Sequence, residues 1–225
     1  MREPVHVTAR LGALKAATAE AHQRAEATGW LARLTRPDVT LADYGIALQR
    51  LHLHFATHEP AILQSLQAHI PAAELARRET VAALRADLAD LGLAVLPVLP
   101  SLAPLCPARA AGWLYVHEGA SLGGLLVLRH LRDHLGAALG TATRHYFRYG
   151  KATAARWQDT RRLIADQLPD EAALRRAVAG AEAAFAALAA TMSEPTDAPV
   201  SRKPGTAPQL CPHAQGAGLR HSAAD

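Results

Sequence analysis

Aromatic residues are scarce in this chain: Phe, Trp and Tyr together make up 4% of its 225 residues. Strands favour aromatic and β-branched side chains, so this scarcity argues against a sheet-based fold. Cysteine is nearly missing as well. Cys106 and Cys211 stand far apart and form no CxxC pair, which argues against a disulfide framework or a cysteine-built zinc site. There is no long uninterrupted apolar run. The longest apolar-rich stretch, Leu91 to Leu105, is broken by Pro97, Pro100 and Pro104 and cannot form a spanning helix. The opening residues, MREPVHVTARLGALKAAT, show no apolar core and no cleavage site, so no signal peptide is expected and the expected location is the cytoplasm. A clustered basic stripe is also lacking, so no nucleic-acid partner is expected. The net charge of +4 and the isoelectric point near 9.4 give a mild bias toward anionic ligands or an acidic partner.

What the chain does have is alanine, leucine and histidine. Half of it is apolar, mostly Ala and Leu, which are among the best helix formers. The twelve histidines exceed what a helical scaffold needs. Leu11, Leu14, Thr18, Ala21 and Ala25 recur at helical spacing and predict a first helix reaching about Ala27, broken by Gly29. Thr40 with Asp43 three residues on is a variant capping box opening a second helix, which Pro60 kinks or ends. Pro71 suits the first turn of a third, closed by Gly92. A fourth starts near Ala108 and, if it survives its glycines, runs to about Leu139, with Gly136 and Gly140 at its end. A short aromatic piece from His145 to Tyr149 precedes a fifth helix from Thr153 to Gln167, and Pro169 starts a sixth. After Met192 the chain is rich in Pro, Gly, Ser and Ala and is expected to be disordered. The expectation is an all-α fold: residues 1–10 as an N-terminal segment, 11–192 as one helical domain, 193–225 as a tail.

Two stretches carry chemistry. In LKAATAEAHQRAE, His22 and Glu26 are i and i+4 and lie one turn apart on one face, with Lys15 two turns before His22. A metal-bound histidine usually gives its second N–H to a carboxylate, a carbonyl or water, and Glu26 could accept it. From the spacing alone, a solvated Glu–His pair is the commoner reading. In YVHEGASLGG, Gly119 and Gly123 are again i and i+4, widened by Ala120, Ser121 and Gly124 into a bare strip. Glycine permits close approach to a backbone. A flat ligand could lie there, or a neighbouring helix could pack there. Leu122 and the run Leu125 to Leu128 continue the helical pattern and argue against a terminus.

Taken in order, LKAATAEAHQRAE and YVHEGASLGG resemble the haem oxygenase family, in particular its bacterial, biliverdin-producing and phytochrome-associated branch. The likeness extends through FRYGKATAARW to the last helix with Phe185. The resemblance implies a helical haem oxygenase-like bundle. It implies oxidative cleavage of haem, both substrate and cofactor, to biliverdin, carbon monoxide and ferrous iron, using O2 and electrons from a separate reductase or ferredoxin. A biliverdin-accepting phytochrome would be a further partner. His22 would be the axial iron ligand and Glu26 would orient its ring. Lys15 would pair with a propionate, with Tyr115 at the haem edge and Arg176, nine before Phe185, as a basic residue on the last helix, Arg175 being its near rival. Gly119 and Gly123, with Gly124 beside them, would form the distal wall. The chain departs from the family where animal-type members carry an aspartate that anchors distal waters; Ala120 stands there. That departure keeps open an alternative, a non-catalytic haem-binding carrier or sensor on the same scaffold. His117 is expected to point away from the haem. The pairs His54/His58 and His130/His134 are expected on solvated helix faces, and the Cys-Pro dipeptides are expected to be chance.

Overall fold

A computed structural model describes residues 5–98 and 103–193, with side chains from Thr8 onward. Among them are nine α-helices, two short 3-10 turns and no strand. The helices are α1 (Val5–Ala17), α2 (Ala19–Glu26), α3 (Gly29–Arg33), α4 (Leu41–Leu66), α5 (Ala72–Ala76), α6 (Val81–Asp90), α7 (Pro107–Leu135), α8 (Thr153–Asp166) and α9 (Glu171–Met192). None is long and apolar enough to cross a membrane. The expected tail and Cys211 lie outside the described residues.

Local chemistry explains most boundaries. The Thr40 hydroxyl accepts from the Asp43 N–H while the Asp43 carboxylate accepts from the Thr40 N–H, a complete capping box for α4. Asp170 caps α9 by accepting from the Ala173 N–H at 2.7 Å. Pro107 occupies the first turn of α7, where its missing N–H costs nothing. Gly92 and Gly136 leave α6 and α7 with φ of +68° and +52°, conformations other residues rarely adopt.

Two expected boundaries differ, and one left open is decided. The first helix divides at Thr18. The buried Thr18 hydroxyl donates to the Leu14 carbonyl at 2.9 Å, a back-bond that bends helices. Pro60 does not end α4, which runs on to Leu66. The third helix divides into α5 and α6. At that break, the buried Glu59 carboxylate accepts from the Thr80 N–H at 2.9 Å and starts α6 there, while Arg78 turns inward to Glu74 and Thr160.

Two hydrophobic cores result. One joins α1, the first half of α7, α8 and α9 through Leu11, Leu14, Leu114, Ile164 and the alanines of α9. The other gathers Trp30, Tyr44, Leu48, Phe55, Leu88, Leu128 and Met192 around α4. α7 and α9 approach most closely at two glycines. A Cβ on Gly112 would overlap the Ala177 carbonyl, and one on Gly180 would overlap that of Arg109. Residue pairs give the remaining directions. Arg10–Glu171 and His22–Phe185 lay α1 and α2 parallel to α9. His54–His117 and His58–Trp113 lay α4 antiparallel to α7.

Candidate functional site

α9 is the floor of the candidate site and α2 one of its walls. α2 runs along α9, and its His22 ring meets Phe185 edge-on, centroids 5.5 Å apart. His22 is held at that edge but not covered: its side chain is 53% exposed. Nδ1 faces the Glu26 carboxylate at 3.5 Å. An exposed pair of this kind stabilises by only a few tenths of a kcal/mol. Its consequence is orientation, because Nδ1 turned to Glu26 leaves Nε2 as the nitrogen offered to a ligand. Lys15 lies on α1, beyond the bend at Thr18. It is exposed, with no ion-pair partner among the described residues.

α7 carries the second candidate wall, the glycine face. It continues through all three glycines as one helix of 29 residues, so the glycines are not a terminus. Their surroundings separate them. A Cβ on Gly123 would have no neighbour within 4 Å, and one on Gly119 would meet only the edge of the Trp157 indole, at 3.6 Å. Gly124 is different: it is buried, and a Cβ there would stand 3.1 Å from Tyr146 Cδ1. One residue is about 100° round a helix, which turns Gly124 from the bare face into the second core. Gly124 is therefore a packing glycine rather than part of the wall.

α8 flanks this wall as far as Trp157, beside both Gly119 and Tyr115. Further along α7, Leu126 is 72% exposed. Tyr115 is half-buried, its ring 5.8 Å from that of Trp157. Burial pushes its phenol pKa up, and the nearby Arg161 guanidinium opposes the shift. Arg161 is a basic residue that sequence reasoning missed; its signal was the i, i+4 spacing from Trp157. Arg176 is placed elsewhere. It borders a shallow cleft of about 330 Å³ with Cys106, Pro107, Asp166 and Gln167 at the start of α7. Gly119 is twelve residues further on, about 18 Å along the helix.

Polar groups fill the back of α7. His117 is buried there, its Nε2 3.1 Å from Nε2 of His54. His117 turns to His54 on α4, and the expectation of a solvated face for His54 fails. His54 is 1% exposed, packed among Phe55, His58, Trp113 and His117. Burial lowers the pKa of His54 to about 3 and drives that of His117 well below the usual imidazole value. Both rings are neutral, and one donates to the other. His134 is on the surface, its Nδ1 2.8 Å from the His130 carbonyl. Glu118 is also buried behind the wall, and Ala120 is exposed.

The donor set is one imidazole backed by a carboxylate on α2, and α7 offers a stretch without Cβ atoms at Gly119 and Gly123. That suits a flat ligand whose metal is already held in its plane and lacks an axial donor. The fold thus defines an all-helical protein, with an exposed histidine on α2 and a bare glycine face on α7 as its candidate site. A family model described as Heme oxygenase matches residues 9–194. A curated heme oxygenase from Xanthomonas campestris pv. campestris is 35% identical over 148 residues, 64% of this chain and 84% of that protein. Among solved structures, heme oxygenase from Leptospira interrogans aligns with a TM-score of 0.62 at 16% identity, covering 80% of this chain and 96% of that one. The NO- and CO-bound heme oxygenase from Neisseria meningitidis gives 0.62 at 24%, covering 87% and 96%. Heme oxygenase-1 from the cyanobacterium Synechocystis in complex with heme gives 0.58 at 17%, covering 84% and 91%. The chain belongs to the haem oxygenase family, and it is an enzyme of haem degradation.

Proposed function

We propose that the chain takes haem edge-first between α2 and α7 and cleaves it to biliverdin, carbon monoxide and ferrous iron. O2 and electrons from a separate reductase or ferredoxin drive the cleavage. Haem supplies the redox iron and the ring that is cut; the chain supplies binding, orientation and exclusion of rival reactions. His22 Nε2 would hold the haem iron, and Glu26 would fix the ring's tautomer by accepting a hydrogen bond from the Nδ1 N–H. Gly119 and Gly123 leave room on the other face, where any side chain would occupy the space needed by a small diatomic ligand. Lys15, Tyr115 and Arg161 are the groups for the propionates, Arg161 taking the part first given to Arg176. The product passes to a separate acceptor, for which a bilin-binding phytochrome is the candidate. The reaction runs in the cytoplasm.

The observation that carries this reading is Gly123: mid-helix, with open space on its bare side. Haemin titration followed by visible spectroscopy tests it. A Soret band of a histidine-ligated haem should form, then disappear under an electron donor and oxygen as biliverdin appears. A Soret band that persists under reduction and oxygen would establish the carrier reading instead. His22→Ala should abolish the histidine-ligated spectrum while leaving the far-UV helical signal unchanged. Retention of that spectrum would remove His22 as the ligand.

A further inference from the structure

Three glycines in six residues leave α7 locally weak, since each lowers helix stability by up to about 1 kcal/mol relative to alanine. A wall that orients a reaction has to be held to a fraction of an ångström. The residue directly before Gly119 has an environment suited to that task. Glu118 is 2% exposed and carries a carboxylate with three partners from outside its own helix. The Tyr149 hydroxyl donates to both oxygens, at 2.9 and 3.0 Å. The Arg148 guanidinium lies 3.5 Å away and that of Arg78 3.7 Å away. These partners are anchored in turn. Arg78, itself buried, also holds Glu74 at 3.0 Å and Thr160 at 2.7 Å. Arg148 reaches the Arg78 carbonyl and the Thr80 hydroxyl and stacks over the Tyr149 ring. Burial and the Glu118 charge push the Tyr149 phenol up to about 12, so the proton stays on Tyr149.

We propose that Glu118 is a positioning residue: its carboxylate, clamped by Tyr149, Arg148 and Arg78, sets the rotation of α7 and thereby the aim of Gly119 at the bound haem. The clamp joins α7 to the segment between α5 and α6 and to the turn before α8, which are separate parts of the chain. Gly119 follows Glu118 by one residue, about 100° round the helix, so any rotation that relaxes the clamp swings the wall. A buried carboxylate with two guanidiniums is also expensive to disturb, because its removal takes from Arg148 its carboxylate partner in a low-dielectric site. This inference rests on the haem oxygenase reading, but its first readout needs no haem.

Glu118→Gln keeps the shape and removes the charge, and Tyr149→Phe removes one hydrogen bond and keeps the charge. In the apo protein, amide hydrogen exchange across Gly119–Gly124 should accelerate about tenfold or more in Glu118→Gln, and by less in Tyr149→Phe, relative to amides of α9. With haem, both variants should retain the histidine-ligated Soret band, because His22 is on another helix, and should make a broader mixture of biliverdin isomers than the parent. Glu118→Asp should recover part of the parental isomer ratio. A residue that merely stabilised the fold would lower the melting temperature and leave both the α7-specific exchange and the isomer ratio at parental values; that result overturns the proposal. Failure of the parent itself to bind haem would instead overturn the reading beneath it. Should Glu118→Gln fail to fold, unchanged exchange and isomers in Tyr149→Phe decide against the clamp.

Discussion

At Gly123, stability and catalysis are set against each other. A helix interior with no neighbour within 4 Å should gain from alanine, by up to about 1 kcal/mol. In the proposed mode of haem binding, the same methyl would project into the space for a diatomic ligand. Gly123→Ala is expected to raise the apo melting temperature while lowering the rate of biliverdin formation at least tenfold. Gly124→Ala should behave in the opposite way on stability, costing about 1 kcal/mol because Tyr146 at 3.1 Å must give way. Thermal melts of the two variants, with one turnover assay, check both signs; a destabilised Gly123→Ala would put a neighbour where the structure shows space. The sequence made Gly119 and Gly123 legible through their spacing, as it did His22 and Glu26. It did not separate Gly124 from them, because which arc of a helix meets the core depends on Tyr146, 22 residues further along. Arg161 and Arg176 could not be ranked for the same reason: both are basic residues on helical spacing, and only the placement of Tyr115 beside α8 chooses between them.

Among elements, α7 carries the most constraint, meeting α4, α8 and α9 along its length. Its crossing with α9 depends on Gly112 and Gly180, each set against a carbonyl of the other helix. A backbone cannot shift as a flexible side chain can. Gly112→Ala is therefore expected to destabilise by about 3 kcal/mol, at the upper end for an added methyl in a packed core, and Gly180→Ala by a similar amount. Urea unfolding of the apo protein measures this. A change below about 1 kcal/mol would mean that the two helices can separate without cost and that the floor of the cleft is not fixed by this crossing. Gly112 carried no signal in the sequence beyond that of an ordinary helical glycine. The helix ends were legible where local residues decide them, as at Thr40–Asp43, Gly92 and Gly136. They were not legible at Thr18 or between α5 and α6. At Thr18, helical spacing continues through a bend made by one hydroxyl. Between α5 and α6, the break is made by Glu59 and Arg78 reaching other helices.

For the molecule as a whole, burying neutral histidines ties the fold to pH. The i, i+4 spacing of His54 and His58 suggested a solvated face; instead α4 and α7 close over His54 and His117, and the turn before α8 brings His145 against Phe55 and Tyr146. Desolvation lowers the pKa of His54 and of His145 to about 3, helped by His58 and by Arg148 respectively. His117 is lowered too, by burial and then by His54, His58 and Arg148. Unfolded, all three titrate near 6.5. A depressed folded value means that below pH 6.5 the unfolded chain binds protons that the native chain refuses, so stability is present above that pH and falls as pH drops. Each such histidine removes about 1.4 kcal/mol per pH unit once the unfolded form is protonated, or up to about 4 for the three. Buried Glu59 and Asp87 act oppositely, since burial raises their carboxyls. They are outnumbered, since burial also lowers His52 and His58, and they act only between their raised values and the ordinary carboxylate range. With a total stability of about 5–15 kcal/mol for a typical domain, the native state should be lost within two to four units below pH 6.5. Urea midpoints at pH 7, 6 and 5 should fall progressively, with an uptake of two to three protons on unfolding at pH 5. An uptake below one proton, or midpoints that stay level across that range, would show that His54, His117 and His145 are hydrated and charged in the native protein, which their burial behind the glycine wall does not permit.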